Sequence, residues 1–340
     1  MAEQGAEKVP AARIEALSPA KRALLDSLAR RRKSATSGDP TASAGGPVRL
    51  RSGAADSGEP IVLVHPIGGG VFCYAELSGL IPGDREVIGL AADRFLRQAA
   101  PPSVEELADH YLGLLRDRGV DRPAVLAGWS FGGVVAYEMA RRHTTPAGTP
   151  AQDGGVPVVL IDSAPWPRQT GAWSRATMLE MFVEDLLGSG GVTVDRVPVE
   201  PAVWQLPVPD ALAAAARQLT ARGLDLGLPQ ADMTDRYTVF THATAAMQRH
   251  RPRSRSGPLT LLHAEHSQAY PETWTALARD IAPTVLRVPG DHFSVLRPPT
   301  VHRVAEALGQ AAGVPDSPAP RSPAPASGPA TTPPQHRSTR

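Results

Sequence analysis

The sequence predicts an α/β protein, with a mostly parallel sheet covered by helices on both faces. One observation predicts it. Short apolar runs alternate with helical patterns from about residue 47 to residue 313. Strands separated by helices need crossover connections, and crossovers set parallel strands side by side with helices over both faces. A second observation, a tight strand–turn–helix around Ser130, indicates which edge of the sheet carries chemistry.

The elements follow in chain order. Val48-Arg49-Leu50-Arg51 reads as an edge strand and Ile61–Val64 as a buried one. Glu86–Leu90 is the next strand. Ser103 opens a helix with Glu106 three residues on, a capping box, followed by Leu107, Tyr111, Leu112 and Leu115 at helical spacing. Ala124–Ala127 is a strand, Val134–Arg142 a helix and Val156–Ile161 a strand. Pro258–His263 and Thr284–Val288 are two more strands, and Val301–Ala312 is a closing helix. Between about residues 173 and 250 the alternation stops. Met178–Leu187, Asp210–Leu219 and Arg236–Met247 read as helices with no convincing strand among them. Such an insertion is expected to lie as a lid over the C-terminal strand edge, where ligands of parallel sheets bind.

The ends differ in composition from this domain. Residues 1–46 are expected to form an amphipathic helix over 14–32 and a flexible linker rich in Ser, Gly, Ala and Pro. Four basic residues, Arg30 to Lys33, follow that helix, so residues 14–33 read either as a solvated flank or as a docking helix. Residues 314–340 hold eight prolines and almost nothing apolar. Such a tail cannot bury enough surface to offset its ordering entropy and is expected to be disordered.

Composition narrows the function. The 340 residues carry 35 Lys+Arg against 34 Asp+Glu, a net charge of +1. That balance argues against a nucleic-acid binder or a polybasic membrane binder. One cysteine, Cys73, permits no internal disulfide and no multi-cysteine zinc site, and buried packing is its expected role. The three lysines all precede residue 34, so the domain has no Schiff-base or P-loop lysine. No apolar run approaches the ~20 residues that span a bilayer, and the charged N-terminus lacks a signal-peptide core. A soluble, cytoplasmic protein is expected.

The chemistry concentrates at Gly128-Trp129-Ser130-Phe131-Gly132, a G-x-S-x-G with a buried strand before it and a helix after it. A serine on this turn is held exposed at the sheet edge as a nucleophile. It needs a base, expected after the last strand and before the last helix, where Gly290-Asp291-His292-Phe293 lies. His292 is the expected base, with His263 and His266 as rivals. Asp162, closing the strand next to that of Ser130, is the expected third member that orients the imidazole. Asp291 is the competitor, better suited to capping its own loop. The oxyanion needs pre-aimed backbone donors. Phe131 N–H is one. The other is expected in His65-Pro66-Ile67-Gly68-Gly69-Gly70, at Ile67 with Gly68 next. The spacing of that loop does not make it a dinucleotide fingerprint.

At these residues the chain resembles the thioesterase domains of nonribosomal peptide and polyketide synthases. The matching stretches are VRLRSG, IVLVHPIGGGVFCYAELSGLI, SVEELADHYL, GWSFGGVVAYEMARR, VVLIDSAPWP and VPGDHFSVL, in order from about residue 48 to 310. The resemblance implies an α/β-hydrolase fold with a helical lid. It implies an acylated Ser130, with Asp162 and His292 as partners and Ile67 and Phe131 as oxyanion donors. The activity implied is release of a peptide or polyketide acyl chain, by hydrolysis or macrocyclisation. No cofactor of its own is implied, because the phosphopantetheine arm belongs to an acyl or peptidyl carrier protein. No carrier-like serine motif precedes residue 47, so a discrete enzyme meeting its carrier in trans is expected. Two alternatives remain: a discrete editing thioesterase or small-molecule esterase, and a non-catalytic carrier-binding module.

Overall fold

The structure is a computed structural model. It describes residues 46–143, 155–165, 173–267 without 193, 195, 225, 227 and 229, and 271–314, together with residue 22. Apart from residue 22, the expected helix over 14–32 lies outside the described residues, as does the proline-rich tail beyond residue 314.

Among the described residues seven strands form one sheet, in the order β1-β3-β2-β4-β5-β6-β7. They are β1 (Gly46–Arg51), β2 (Ile61–Val64), β3 (Val87–Ala91), β4 (Val125–Trp129), β5 (Val158–Ile161), β6 (Leu259–Ala264) and β7 (Thr284–Val288). Only β1 runs antiparallel to its neighbour, and every other pair is parallel. The chain steps from β2 outward to β3, then returns to lay β4 on the other side of β2. This reversal opens a crevice at the carboxyl ends of β2 and β4, the usual ligand position in open parallel sheets.

The pleat sorts the strand residues onto two faces. Val62, Val64, Leu126 and Leu160 join the core under α2 (Val104–Asp117) and α3 (Phe131–Arg142). Ile61, Leu63, Val125 and Val159 join the core under α1 (Ala75–Leu80) and α8 (Thr300–Ala311). β2, β4 and β5 are buried throughout, which is why they read as continuous apolar runs rather than alternating ones. The capping box at Ser103 is present, with Glu106 returning to the Ser103 backbone N–H at 2.8 Å. The expected insertion consists of α4 (Arg175–Gly190), α5 (Val208–Thr220) and α6 (Gln230–Arg249). It has a core of its own, built on Phe182, Leu187, Trp204, Leu212 and Phe240. A short α7 (Pro271–Thr275) precedes β7.

Small departures from the expected boundaries have local causes. β1 begins at Gly46, one residue before the expected domain start. Val314, assigned to the tail by its sequence, packs against the domain and donates its N–H to Gly309 O at 3.0 Å, closing the last turn of α8. α1 was not expected, because six residues are too few to display a helical period. Among the described residues no helix is long and apolar enough to cross a membrane.

One buried side chain ties the two central strands together at the crevice. The Tyr74 hydroxyl donates to Val64 O at 2.7 Å and accepts from the Trp129 N–H at 2.8 Å. Burial holds this phenol well above its ordinary pKa, so it keeps the proton that it donates. Tyr74→Phe leaves both backbone groups short of a buried partner. We expect a loss of about 2 kcal/mol, read as a lower urea midpoint with an unchanged slope. A loss below about 0.5 kcal/mol would mean that the strands hold their ends without the hydroxyl.

Candidate active site

The backbone at Ser130 sets the site. β4 ends at Trp129, and α3 starts at Phe131, so a single residue makes the turn. Ser130 takes φ 57° and ψ −126°, a strained conformation for a residue with a Cβ. The turn is this tight because α3 crosses directly over β2 and β4. A Cβ on Gly132 would stand 2.3 Å from Val64 O, and one on Gly128 would stand 2.2 Å from the Gly132 carbonyl carbon. Only glycine permits that approach. The Ser130 N–H is fixed by Ile161 O at 3.0 Å, which sets the serine beside the end of β5.

Asp162 follows β5 and also has positive φ, 45°. Its Oδ1 accepts from the Ala264 N–H at 3.0 Å. Its Oδ2 accepts from His292 Nδ1 at 2.6 Å. Burial opposes ionisation of this carboxyl. The His292 hydrogen bond and charge, with the Ser267 and Ala264 bonds, outweigh it and hold the group below the ordinary carboxylate range. The Asp162 carboxylate accepting from Nδ1 is thus an anion, which leaves Nε2 as the ring nitrogen free to take a proton.

His292 is also held from the Ser130 side. Trp129, next to Ser130, donates its indole N–H to His292 O at 2.9 Å, and the two rings lie 5.1 Å apart. Among the described residues no hydrogen bond joins the Ser130 hydroxyl to the imidazole. Such bonds are commonly long before substrate binds. The structure thus joins Asp162 to His292 directly, and Ser130 to His292 through its neighbour.

The rivals fall into other places. Asp291 caps its own loop, accepting from the Phe293 and Ser294 N–H groups at 3.0 and 2.8 Å. His263 lies with Nδ1 3.6 Å from Asp162 Oδ1, on the side away from the bond to His292. His266 meets this region through its backbone, donating to Gly290 O at 3.0 Å. Cys73 is half-buried against the core under α1, with Sγ 3.9 Å from Gly70 O.

The expected oxyanion donors stand on either side of the crevice. Phe131 N–H opens α3, and Ile67 N–H lies in the turn after β2 that is closed by Gly69 N–H on Pro66 O at 2.9 Å. Among the described residues neither N–H is taken by another protein group.

A family model described as a thioesterase domain matches residues 59–311. The chain belongs to the thioesterase-domain family. This thioesterase domain is 27% identical over 276 residues to the nonribosomal peptide synthetase btyA of Aspergillus terreus, covering 74% of this chain and 28% of that protein. It is 25% identical over 260 residues to the thioesterase AMT4 of Alternaria alternata, covering 73% of this chain and 82% of that protein. The chain spans less than half of the first curated relatives it matches, 28% of btyA and 42% of the thioesterase frbE of Dothideomycetidae sp.. Among solved structures it is similar to the four-domain nonribosomal peptide synthetase AB3403, with TM-score 0.67 and 24% identity over 82% of this chain and 21% of that one. It is also similar to the Vlm2 thioesterase domain bound with a dodecadepsipeptide, with TM-score 0.52 and 23% identity over 82% of this chain and all of that one. These likenesses establish the fold, an α/β-hydrolase fold.

Three residues of the thioesterase domain's site escaped sequence reasoning. Trp129, the first variable position of the G-x-S-x-G, braces His292. Arg236 of α6 donates Nη1–H to Gly68 O at 3.1 Å and so ties the lid to the turn carrying Ile67. His65 closes β2 and is fully buried. Its Nδ1–H donates to Pro66 O at 2.7 Å, because a carbonyl can only accept, and its Nε2 accepts from the Tyr111 hydroxyl at 2.6 Å. A histidine immediately before the Pro-x-Gly-Gly turn, at the end of an all-apolar strand, was the available signal.

The His65 ring is neutral. Burial pushes its pKa down to about 4, against the backbone bond to Pro66. An unfolded imidazole titrates near ~6.5. Between those values the unfolded chain takes up a proton that the folded chain refuses, so the stability from this group is complete above pH ~6.5 and falls as pH drops towards 4. The fall is about 3 kcal/mol. His65→Gln should remove that share of the acid sensitivity. Urea midpoints of wild type and variant at several pH values check it, and parallel profiles would mean that His65 is already charged in the fold.

Proposed function

We propose that this thioesterase domain releases an acyl chain, peptide or polyketide, from the phosphopantetheine arm of a carrier protein through an acyl-enzyme on Ser130. The observation that carries the reading is the Asp162–His292 hydrogen bond of 2.6 Å beside a serine at φ 57°. A carboxylate that fixes an imidazole next to a strained, turn-borne hydroxyl is the arrangement that activates serine for acyl transfer.

The steps follow from the groups present. His292 Nε2 takes the Ser130 proton as Oγ attacks the thioester carbonyl carbon. The carbonyl oxygen becomes an oxyanion, met by the N–H groups of Ile67 and Phe131. The ionised Asp162 stabilises the imidazolium that forms. The C–S bond breaks, the imidazolium returns its proton to the departing thiolate, and the acyl group remains on Ser130. Water, or a hydroxyl or amine of the chain itself, then gives its proton to His292 as it attacks the acyl carbonyl, and the imidazolium returns that proton to Ser130 Oγ as the ester bond breaks. Water yields the acid and an internal nucleophile yields a ring. The α4–α6 lid governs that choice by admitting or excluding water. The carrier is expected in trans, with residues 14–33 as a candidate docking segment.

Three variants test the chemistry. Wild type should be labelled by a fluorophosphonate, and Ser130→Ala should not. His292→Ala should abolish acylation. Asp162→Asn should fold and lose ~10⁴-fold in turnover; near-normal turnover would transfer the role to another carboxylate. A folded, unlabelled wild type would favour a carrier-binding module instead. The partner is tested by comparing one acyl group on a carrier and on a short thiol. A preference for the carrier of less than a few-fold would favour a free-standing esterase.

A further inference from the structure

The roof of the site holds a carboxylate that the chemistry above does not use. Asp185 lies on α4, on the same row as Phe182 and Gly188, three residues before and after it. Phe182 enters the lid core, and Gly188 lies against the ring of Phe293, next to His292. Asp185 therefore points inward. A Cβ placed on Gly68 would stand 3.0 Å from Asp185 Oδ2. The carboxylate thus hangs over the residue that follows Ile67, whose N–H is a candidate oxyanion donor.

This carboxylate makes no hydrogen bond or close ion pair among the described residues. Arg236 approaches the same turn, but its Nη1 is directed to Gly68 O at 3.1 Å. Burial pushes the Asp185 carboxyl up to about 6, against the fields of His292 and Arg236. A wholly apolar acyl chain would bury the group further and offer it nothing, a costly arrangement. A donor on the substrate would satisfy it.

The position limits where that donor can be. The acyl group has one fixed point, its carbonyl, held between Ser130 and the two amides. Asp185 stands beside Gly68, next to the Ile67 turn, and within the field of His292, so the acyl atoms next to that carbonyl are the part of the chain closest to it. We propose that Asp185 is a specificity-determining residue that accepts a hydrogen bond from an N–H on this carbon. The domain's substrates are then α-amino or α-acylamino acyl thioesters, aminoacyl or peptidyl groups, rather than fatty or polyketide chains. The proposal rests on the thioesterase reading and narrows its substrate class.

Three pantetheine thioesters of matched shape test it on the full chain: leucyl, N-acetyl-leucyl and 4-methylpentanoyl, the last lacking the nitrogen. Wild type should prefer the better of the two nitrogen-bearing acyl groups over 4-methylpentanoyl by roughly tenfold or more in kcat/KM, the size expected of a buried hydrogen bond to a charged group. In Asp185→Ala that ratio should fall to within about threefold, whatever the absolute rates. Asp185 as a mere counter-charge for Arg236 predicts that all three rates fall together with the ratio kept. That result would overturn the proposal, and so would a wild type that cleaves the three thioesters alike. In the latter case the thioesterase reading stands. If wild type cleaves none and Ser130 takes no fluorophosphonate, that reading fails and the narrower one falls with it.

Discussion

The site depends on the way the chain passes from β4 into α3 within one residue. Parallel pairing brings the ends of β2, β4 and β5 to one rim, and the Ser130 N–H is pinned to Ile161 O at 3.0 Å. The conformation at Ser130 would relax if the helix could tilt away. It cannot, because the first turn of α3 is seated on the β2 backbone, with Gly132 against Val64 O. Burial of both faces of the sheet therefore maintains the strain at the serine. The same crossing leaves Phe131 N–H at the start of a helix, where no intrahelical carbonyl can reach it. The strained serine and the unpaired amide beside it are two consequences of one packing contact.

Much of this was legible in the residues. The strands buried on both faces, β2, β4 and β5, appear as unbroken apolar runs, and their order around Ser130 and Asp162 follows from crossover connections. His292 was found by its place between β7 and α8, and the capping role of Asp291 by its adjacency to that ring. What escaped has a common cause. Trp129, Tyr74, His65 and Arg236 act through partners 10 to 168 positions away in the chain. A window of sequence sees their side chains but not the atoms they meet. α1 and α7, at six and five residues, are also too short to show a period.

The lid adds further charge to a rim that already holds Asp162 and His292. Arg236 and Asp185 come from different helices and converge on the glycine turn after β2. Arg297 joins them from the other side, donating to Gly188 O at 2.6 Å at the carbonyl end of α4, where a cation is favoured by the helix dipole. Floor and roof are thus connected at two points, one on the glycine turn after β2 and one on the loop that follows His292. A helical insertion with its own core can vary its inward side chains without disturbing the sheet.

The indole of Trp129 has a mechanical meaning. Because its N–H grips the His292 carbonyl while its own backbone leads into Ser130, hydroxyl and imidazole are carried on one bracket. A shift of the lid that pulled on the loop after β7 would drag both groups in the same direction and leave their spacing nearly constant. The roof can then change shape while hydroxyl and imidazole keep their separation.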